Sequence, residues 1–459
     1  MIEKLVLPEI RELLAGEDHA TLAGVLNSWL PADLASLLQG LEDQEKVQLL
    51  RALHGPLASE VFEYLELDFQ ERLLELMPEA QSALILDGMS PDDRTALLEE
   101  LSDDRAEALL KLLSPEQREV AESLLRFSPD TVGRLMTPDF VAVRKEWTIK
   151  HVLDYVRSHG RDSETLNVLY VVDDENRLAA DLRIHMVLLA PLHQHVRELV
   201  DANVIALNVG DDKTAAVEVF RKYDRTVLPV VDHLGKLVGI VTIDDVLDVV
   251  EEEATREIQM FGGLEALDES YVRTPLLRMV QKRATWLVVL FLGEMLTATA
   301  MGYYEGEIAR LPVLALFLPL IISSGGNSGS QAATLIIRAL ALGELKLRDY
   351  RMVFWRELAS GLLLGLLLGT IGLLRITIWS QFSNIYTDQW LLVGFSVGGA
   401  LVGVVMWGSL CGALLPFLLK RLGYDPATSS APFVATLVDV TGIIIYFSVA
   451  YSILRGRLL

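Results

Sequence analysis

The sequence predicts a multi-domain chain. Its C-terminal part is an all-α membrane domain of five transmembrane helices, preceded by an α-helical, superhelical N-domain and an α/β unit built twice in tandem. Three observations predict this. Five apolar stretches lie at 285–304, 311–342, 358–379, 390–419 and 432–454, each at or above the roughly 20 residues that cross a bilayer as a helix. The charge divides sharply: residues 285–459 hold 9 of the 63 acids and 11 of the 40 bases, leaving residues 1–284 at net −25. Between these regions a strand–turn–strand–helix pattern occurs twice.

An acidic region of this size repels nucleic acid and anionic lipid and attracts cations. Lone Cys411 gives no intrachain disulfide framework. The start "MIEKLVLPEIRELL" has neither an apolar signal core nor a cleavage site.

Residues 1–128 form the acidic helical N-domain. "LEDQEKVQLLRAL", "LELDFQERLLELM", "MSPDDRTALLEEL" and "LSPEQREVAESLL" read as one loose repeat of helix pairs. Aligned on Lys46, Arg72, Arg94 and Arg118, its spacings are 26, 22 and 24. Ser90 and Ser114, each followed by Pro, are N-cap residues with Pro in the first helical position. A near-solenoid stack follows, and its acidic loops read first as a solvated face.

Residues 129–250 carry the α/β repeat. "LNVLYVVDDENRL" and "RTVLPVVDHLGKLVGIVTIDDVLDVV" are two versions of one unit. The next segment, 251–275, continues "DDVLDVVEEEATREIQMFGG", in which Asp244, Asp245, Asp248, Glu251, Glu252 and Glu253 fall within ten residues. Like charges on one helical face cost stability unless solvated or bridged.

Residues 276–459 are the membrane domain, whose entry is marked by Lys282, Arg283 and Trp286. The loops after the second and fourth stretches are basic, with Lys346, Arg348, Arg351 and Arg356, then Lys420 and Arg421. "SQFSNIYTDQ" after the third has no base. The basic loops and the N-terminal half are therefore expected in the cytoplasm of a cell inner (plasma) membrane protein. Arg455 and Arg457 run against that topology.

In "LPLIISSGGNSGSQAATLIIRAL" the residues Gly325, Gly326, Asn327 and Gln331 stand where lipid would prefer leucine. Small residues let helices approach closely or line a path, and Asn327 and Gln331 share a helical face. Asp439, in "ATLVDVTGIIIYF", has no Lys or Arg in its stretch. A carboxylate there costs on the order of 2.5–3.5 kcal/mol and usually faces a cavity or an ion. Glu294 is a weaker cavity candidate, and Glu357 beside Arg356 reads as an interfacial pair. A twofold homodimer would bring two copies of Asp439 to the axis, a charge suited to Mg²⁺, which keeps its waters and uses one or two carboxylates.

"LPVVDHLGKLVGIVTIDDVL" resembles a CBS domain, with Gly239, Thr242 and Asp245 in the pattern that holds an adenosine ribose and phosphate. The first copy, "LAADLRIHMVLL", lacks that pattern. Together with "GGNSGSQAATLIIRAL" and "DPATSSAPFVATLVDVTG", the whole chain resembles the MgtE-type magnesium channel family. The resemblance implies a dimer with its pore on the twofold axis. It implies Asp439 as the pore carboxylate for hydrated Mg²⁺, with the carbonyl of Ala435 one turn before. It implies Asp224, Asp245, Asp248 and Glu253 as regulatory Mg²⁺ positions, with Asp92 and Asp93 as counterparts on the N-domain. Gly325, Gly326, Asn327, Gln331 and Ala431 would line the pore or its gate, and Thr242 with Asp245 would hold ATP as a regulatory ligand. Ser330, Ala431, Thr214 and Arg256 depart from the family pattern.

The expected function is Mg²⁺ uptake down its electrochemical gradient, gated by cytoplasmic Mg²⁺. Rival readings are an ion-coupled carrier of another divalent cation such as Co²⁺, and a membrane-anchored adenine-nucleotide sensor. An enzyme is not expected, because no nucleophile–base pair, phosphate-cradling loop or His/Cys cluster occurs.

Overall fold

The computed structural model describes residues 2–16, 19–200, 203–267, 271, 274–382, 389–428 and 431–455. Arg457 and positions 383–388 of the base-free loop lie outside the described residues. The chain forms two compact units, Met1–Glu251 and Glu252–Leu459.

The first unit opens with α1 (Ile2–Ala15) and α2 (His19–Leu26), then a run of regular short helices. These are α3 (Pro31–Gln39), α4 (Asp43–Ala52), α5 (Gly55–Glu63), α6 (Leu67–Leu76), α7 (Glu79–Gly88), α8 (Pro91–Glu100), α9 (Asp103–Leu112) and α10 (Pro115–Leu125). Each of the eight begins 12 residues after the one before. Alternate helices pack together, α3 on α5 on α7 on α9, and α4 on α6 on α8 on α10, so two columns share one leucine-rich core.

The 24-residue period is strict, which corrects the sequence alignment at one place. The register residue in α6 is Gln70, not Arg72, and Lys46, Gln70, Arg94 and Arg118 each stand fourth in their helix. The last carbonyls of a helix lack intrahelical donors, and these side chains supply them. Gln70 Nε2 donates to the carbonyls of Phe62 (2.8 Å) and Leu65 (3.0 Å). Arg94 Nη1 donates to Leu86 (3.1 Å) and Met89 (3.4 Å), and Arg118 donates to Leu110 (2.7 Å) and Leu113 (3.2 Å). Lys46 instead lies over the Phe69 ring and pairs with Asp43. A charge is harder to bury than an amide, but the period recruits whichever donor reaches the carbonyls.

After α11 (Val132–Leu135) come two three-stranded sheets. The first is β1 (Ala142–Arg144), β2 (Val168–Val172) and β3 (Leu178–Arg183), with α12 (Ile149–His159) and α13 (Ile184–Leu189). The second is β4 (Leu207–Asn208), β5 (Val227–Val231) and β6 (Leu237–Thr242), with α14 (Lys213–Tyr223). In each, the first pair is parallel and the second antiparallel, with an irregularity at Val171/Val172 and again at Val230/Val231. The duplicated defect shows one unit used twice. The copies join through Tyr170, Val172, Val227, Leu237 and Ile240, and through an Arg225–Asp181 ion pair at 3.1 Å.

α15 (Ile243–Phe261) follows β6 without a break. The linking helix therefore starts before residue 251 and stops at Phe261, short of 275. No breaker separates Asp248 from Glu253, whereas Gly262 and Gly263 (φ +73) end the helix.

The second unit holds α16 (Leu276–Tyr303), α17 (Glu305–Arg310), α18 (Leu318–Ala341), α19 (Tyr350–Trp379), α20 (Trp390–Arg421) and α21 (Ala431–Leu454). All but α17 belong to the five spans long and apolar enough to cross a membrane. The long second stretch resolves into a tight 3-10 turn, Pro312–Phe317, before α18. Glycines every third or fourth residue set the packing. Gly361, Gly365 and Gly369 of α19 lie against the backbones of Met406, Val402 and Gly398 in α20 so closely that a Cβ on any of them would clash. Gly408 and Gly412 of α20 face the carbonyls of Gly325 and Gly329 of α18, where an added Cβ would stand 2.3 and 2.0 Å from oxygen. Gly325 and Gly329 are therefore explained by close helix approach.

Candidate functional site

Two sets of polar groups stand out, one in each unit. The first gathers on α8 and the start of α15. Asp92 and Asp93 occupy the first turn of α8, where Ser90 and Pro91 start the helix. Asp244 and Asp245 occupy the first turn of α15, and Asp248 follows one turn later. The fold brings these acids within electrostatic reach of each other, and adds two that sequence reading missed: Glu63 at the end of α5 and Glu164 in the loop before β2.

Burial among like charges disfavours every carboxylate there. Burial, and then the charges of Asp245, Asp93 and Glu164, hold Asp92 well above the usual carboxylate range. Burial, with Asp244 and Asp93 adding to it, pushes Asp245 up to about 7, even though Thr242 donates to it from Oγ1 (2.7 Å) and its amide (3.2 Å). Glu63 is pushed up to about 7, chiefly by burial, although the Ser90 amide donates to it. Burial also raises Asp93, Glu164 and Asp248. Asp92 is only 8% exposed, and its Oδ1 has no hydrogen-bond partner. A buried carboxylate oxygen without a partner, ringed by acids, fits a cation better than anything the chain itself supplies. Among the described residues no three carboxylate, thiolate or imidazole groups converge tightly enough to ligate one ion directly. The chemistry therefore suits an ion held through its waters.

The other regulatory candidates are placed differently. Asp224 caps the C-terminus of α14 in the left-handed conformation (φ 50°), exposed, and it is not among the acids acting on the cluster. Glu253 pairs with Arg256 at 3.5 Å. Thr214 is held by the N-cap Asp212 through its amide (2.8 Å) and hydroxyl (2.6 Å). Gly239 has a structural cause, since Met136 and Thr137 pass so close that a Cβ would meet the Met136 sulfur at 2.8 Å. Thr242 and Asp245, the candidate nucleotide pair, are bonded to each other.

The second set lies on α18 and α21. Gly326 faces α21: a Cβ there would sit 3.4 Å from that of Ala435 and 3.8 Å from Asp439 Oδ1. Asp439 is half-buried. On the same helix, Ser323, Asn327, Gln331, Thr334 and Arg338 are exposed, spaced three or four apart as one face of α18. Behind them Ser328 bonds Ser409 of α20 at 2.7 Å. Ser330 Oγ donates to the carbonyl of Ala431 at 3.2 Å, tying α18 to the first residue of α21. In the same unit, burial, and then the charge of Asp425 in the loop before α21, raise the carboxyl of Glu257 in α15. Sequence reading missed this pair, which is separated by 168 positions.

Family models match the chain along most of its length. A divalent cation transporter model (MgtE) matches 318–449, the MgtE intracellular N domain matches 29–130, and CBS domains match 132–183 and 196–252. A magnesium transporter MgtE of Thermus thermophilus is 39% identical over 460 residues, covering 99% of this chain and all of that one. The chain belongs to the MgtE family. The magnesium transporter MgtE of Bacillus subtilis is 26% identical and covers 94% of each chain. Among solved structures, the cytosolic domain of the Mg²⁺ channel MgtE in complex with ATP is 34% identical, with a TM-score of 0.50, over 53% of this chain and 99% of that one. The soluble part of a magnesium transporter gives 25% identity and a TM-score of 0.53 over 55% of this chain and 99% of that one. Membership accounts for the helical N-domain, the CBS pair and the membrane helices of this multi-pass protein.

Proposed function

We propose that this chain is a Mg²⁺ channel whose pore forms between two copies, with Asp439 of each copy meeting the hydrated ion. One observation carries the reading: the face of α18 bearing Ser323, Asn327 and Gln331 is left exposed in a membrane helix, next to the buried flank where Gly326 meets Ala435 and Asp439. Amides in hydrocarbon are costly, so this face needs water or a polar partner. A twofold axis beside it supplies both, and it places two carboxylates opposite one divalent ion. Gly326, Asn327 and Gln331 then line the path, Gly325 sets the close packing behind it, and the Ala435 carbonyl receives the ion's waters. Ala431 and Ser330 fix the mouth through their hydrogen bond.

The gate works through α15. Mg²⁺ bridging Glu63, Asp92, Asp93, Glu164, Asp244, Asp245 and Asp248 holds the N-domain to the start of that helix. The same helix carries Glu253 and then Glu257, which faces Asp425 at the foot of α21. Low Mg²⁺ leaves these acids uncompensated, their repulsion loosens both ends of α15, and the pore opens. The ion closes the channel because it binds the docked form better. Asp224 contributes a weaker, separate position, and Arg256 lowers the share that Glu253 takes.

The division of labour follows 1–128 as sensor, 129–250 as the CBS frame, the segment from 251 as linker, and 276–459 as pore. ATP is a regulatory ligand of the CBS pair, in keeping with the ATP-bound relative, with Thr242 and Asp245 at its ribose. The protein lies in the cell inner membrane with its N-terminal half in the cytoplasm, and it is not an enzyme. Mg²⁺ flux into proteoliposomes tests the reading: Asp439→Ala abolishes it, while unchanged flux would refute the pore.

A further inference from the structure

We propose that Glu294 is a second carboxylate of the permeation path, level with Asp439, and that it sets how strongly the path draws divalent cations when they are scarce. This rests on the pore reading above and extends it to a second helix.

The packing of α16 on α21 fixes the level. The rings of Trp286 and Phe433 lie 6.1 Å apart, Gly293 faces Thr436 so that a Cβ would stand 2.9 Å from its methyl, and Tyr304 stacks on Phe447 at 4.6 Å. The partners differ by 147, 143 and 143 positions, so the helices run parallel and residue 294 comes level with 437–441. Asp439 lies at the centre of that range.

Among the described residues no base answers the charge of Glu294. It is exposed in the protomer, and among the described residues it has no ion pair. The nearest base on its own helix, Arg283, is 11 residues back, about 16 Å along the axis. Its neighbours Phe291, Leu292, Met295 and Leu296 are exposed and apolar, as lipid-facing residues should be. An ionised carboxylate in that belt is tolerated only where it meets water or a cation. Among the described residues, Asp439 is the other carboxylate at its level, beside the Thr441 hydroxyl that accepts from Trp407 Nε1 at 2.8 Å. Glu294 therefore meets the watery path at the level of Asp439 and acts on the ion through the field it adds there.

The test uses the full chain in proteoliposomes, with Mg²⁺ flux measured across a range of Mg²⁺ concentrations. Glu294→Gln is expected to raise the concentration for half-maximal flux by about three- to tenfold, the range one carboxylate exerts on a divalent ion through a watery path, with flux restored at saturating Mg²⁺. Glu294→Asp should keep most of the wild-type response. Water access is read separately: Glu294→Cys in a Cys411→Ser background is expected to react with a charged, membrane-impermeant thiosulfonate, and Mg²⁺ is expected to slow the reaction. If Glu294→Gln matches wild type at every concentration, or the cysteine stays unlabelled, while Asp439→Ala abolishes flux, this inference fails and the pore reading stands. If Asp439→Ala leaves flux unchanged, both fail.

Discussion

Ser328 of α18 and Ser409 of α20 share a buried hydrogen bond of 2.7 Å. It lies between the glycine pairs that let the two helices touch, Gly325 with Gly408 and Gly329 with Gly412. The bond ties the buried side of α18 to α20 and leaves the polar side with Asn327 and Gln331 exposed.

That packing makes a graded prediction. Ser409→Ala leaves one hydroxyl unmatched, and within membranes such bonds are worth about 0.6 kcal/mol. The melting temperature should fall by a few degrees at most, with flux retained. Gly412→Leu forces a side chain into the Gly329 carbonyl and should prevent assembly, seen as loss of the folded peak in detergent gel filtration. A well-folded Gly412→Leu protein would contradict the crossing.

The repeat of the N-domain predicts a stability difference within one register. Arg94 is fully buried and bonds Leu86, Met89 and Gln117. Arg94→Ala orphans two carbonyls and removes the charge facing Asp87 and Asp139, at about 3 kcal/mol. Gln70→Ala, which removes a neutral amide, should cost about 1–2 kcal/mol. Urea unfolding of the full chain, followed on the N-domain, checks the order; equal costs would contradict the capping account.

The acid cluster predicts a dependence on pH that Mg²⁺ removes. Carboxyls raised in the folded form, such as Asp245 and Glu63 at about 7, favour docking while protonated and oppose it once ionised. Their contribution is therefore intact below about 4 and lost as pH rises through about 7. Without Mg²⁺, hydrogen exchange in α8 and early α15 should quicken from pH 6 to pH 8 beyond the chemical rate. With millimolar Mg²⁺ the added loss should vanish. The opposite sign would exclude a cation bridge.

Glu257 and Asp425 predict a separable gating defect. Replacing either with its amide, Glu257→Gln or Asp425→Asn, lifts the repulsion without touching Asp439. Flux at low Mg²⁺ should persist, while the Mg²⁺ concentration that closes the channel should shift. An unchanged closing curve in both variants would sever this contact from the gate.

Much of this was legible in the sequence, for stated reasons. The five spans announce themselves because lipid tolerates only long apolar helices. The CBS strands show through their valines and the turns at Asn176 and Gly235, which adopt positive φ. The 12-residue helix period was hidden because its caps differ at each step, from Leu30 and Glu42 to His54 and Ser90. Arg72 therefore drew the alignment away from Gln70. The convergence of Glu63 and Glu164 on Asp93, and of Glu257 on Asp425, depends on tertiary contacts that no local pattern encodes. The small residues at 325–329 proved to serve two purposes, with Gly325 and Gly329 for helix approach and Gly326 toward Asp439.

The central claim is tested most directly by Mg²⁺ uptake into proteoliposomes carrying purified Asp439→Ala, compared with the unaltered chain at matched protein content. The predicted result is uptake at the level of empty liposomes while the protein stays folded. Uptake at the native rate would contradict it.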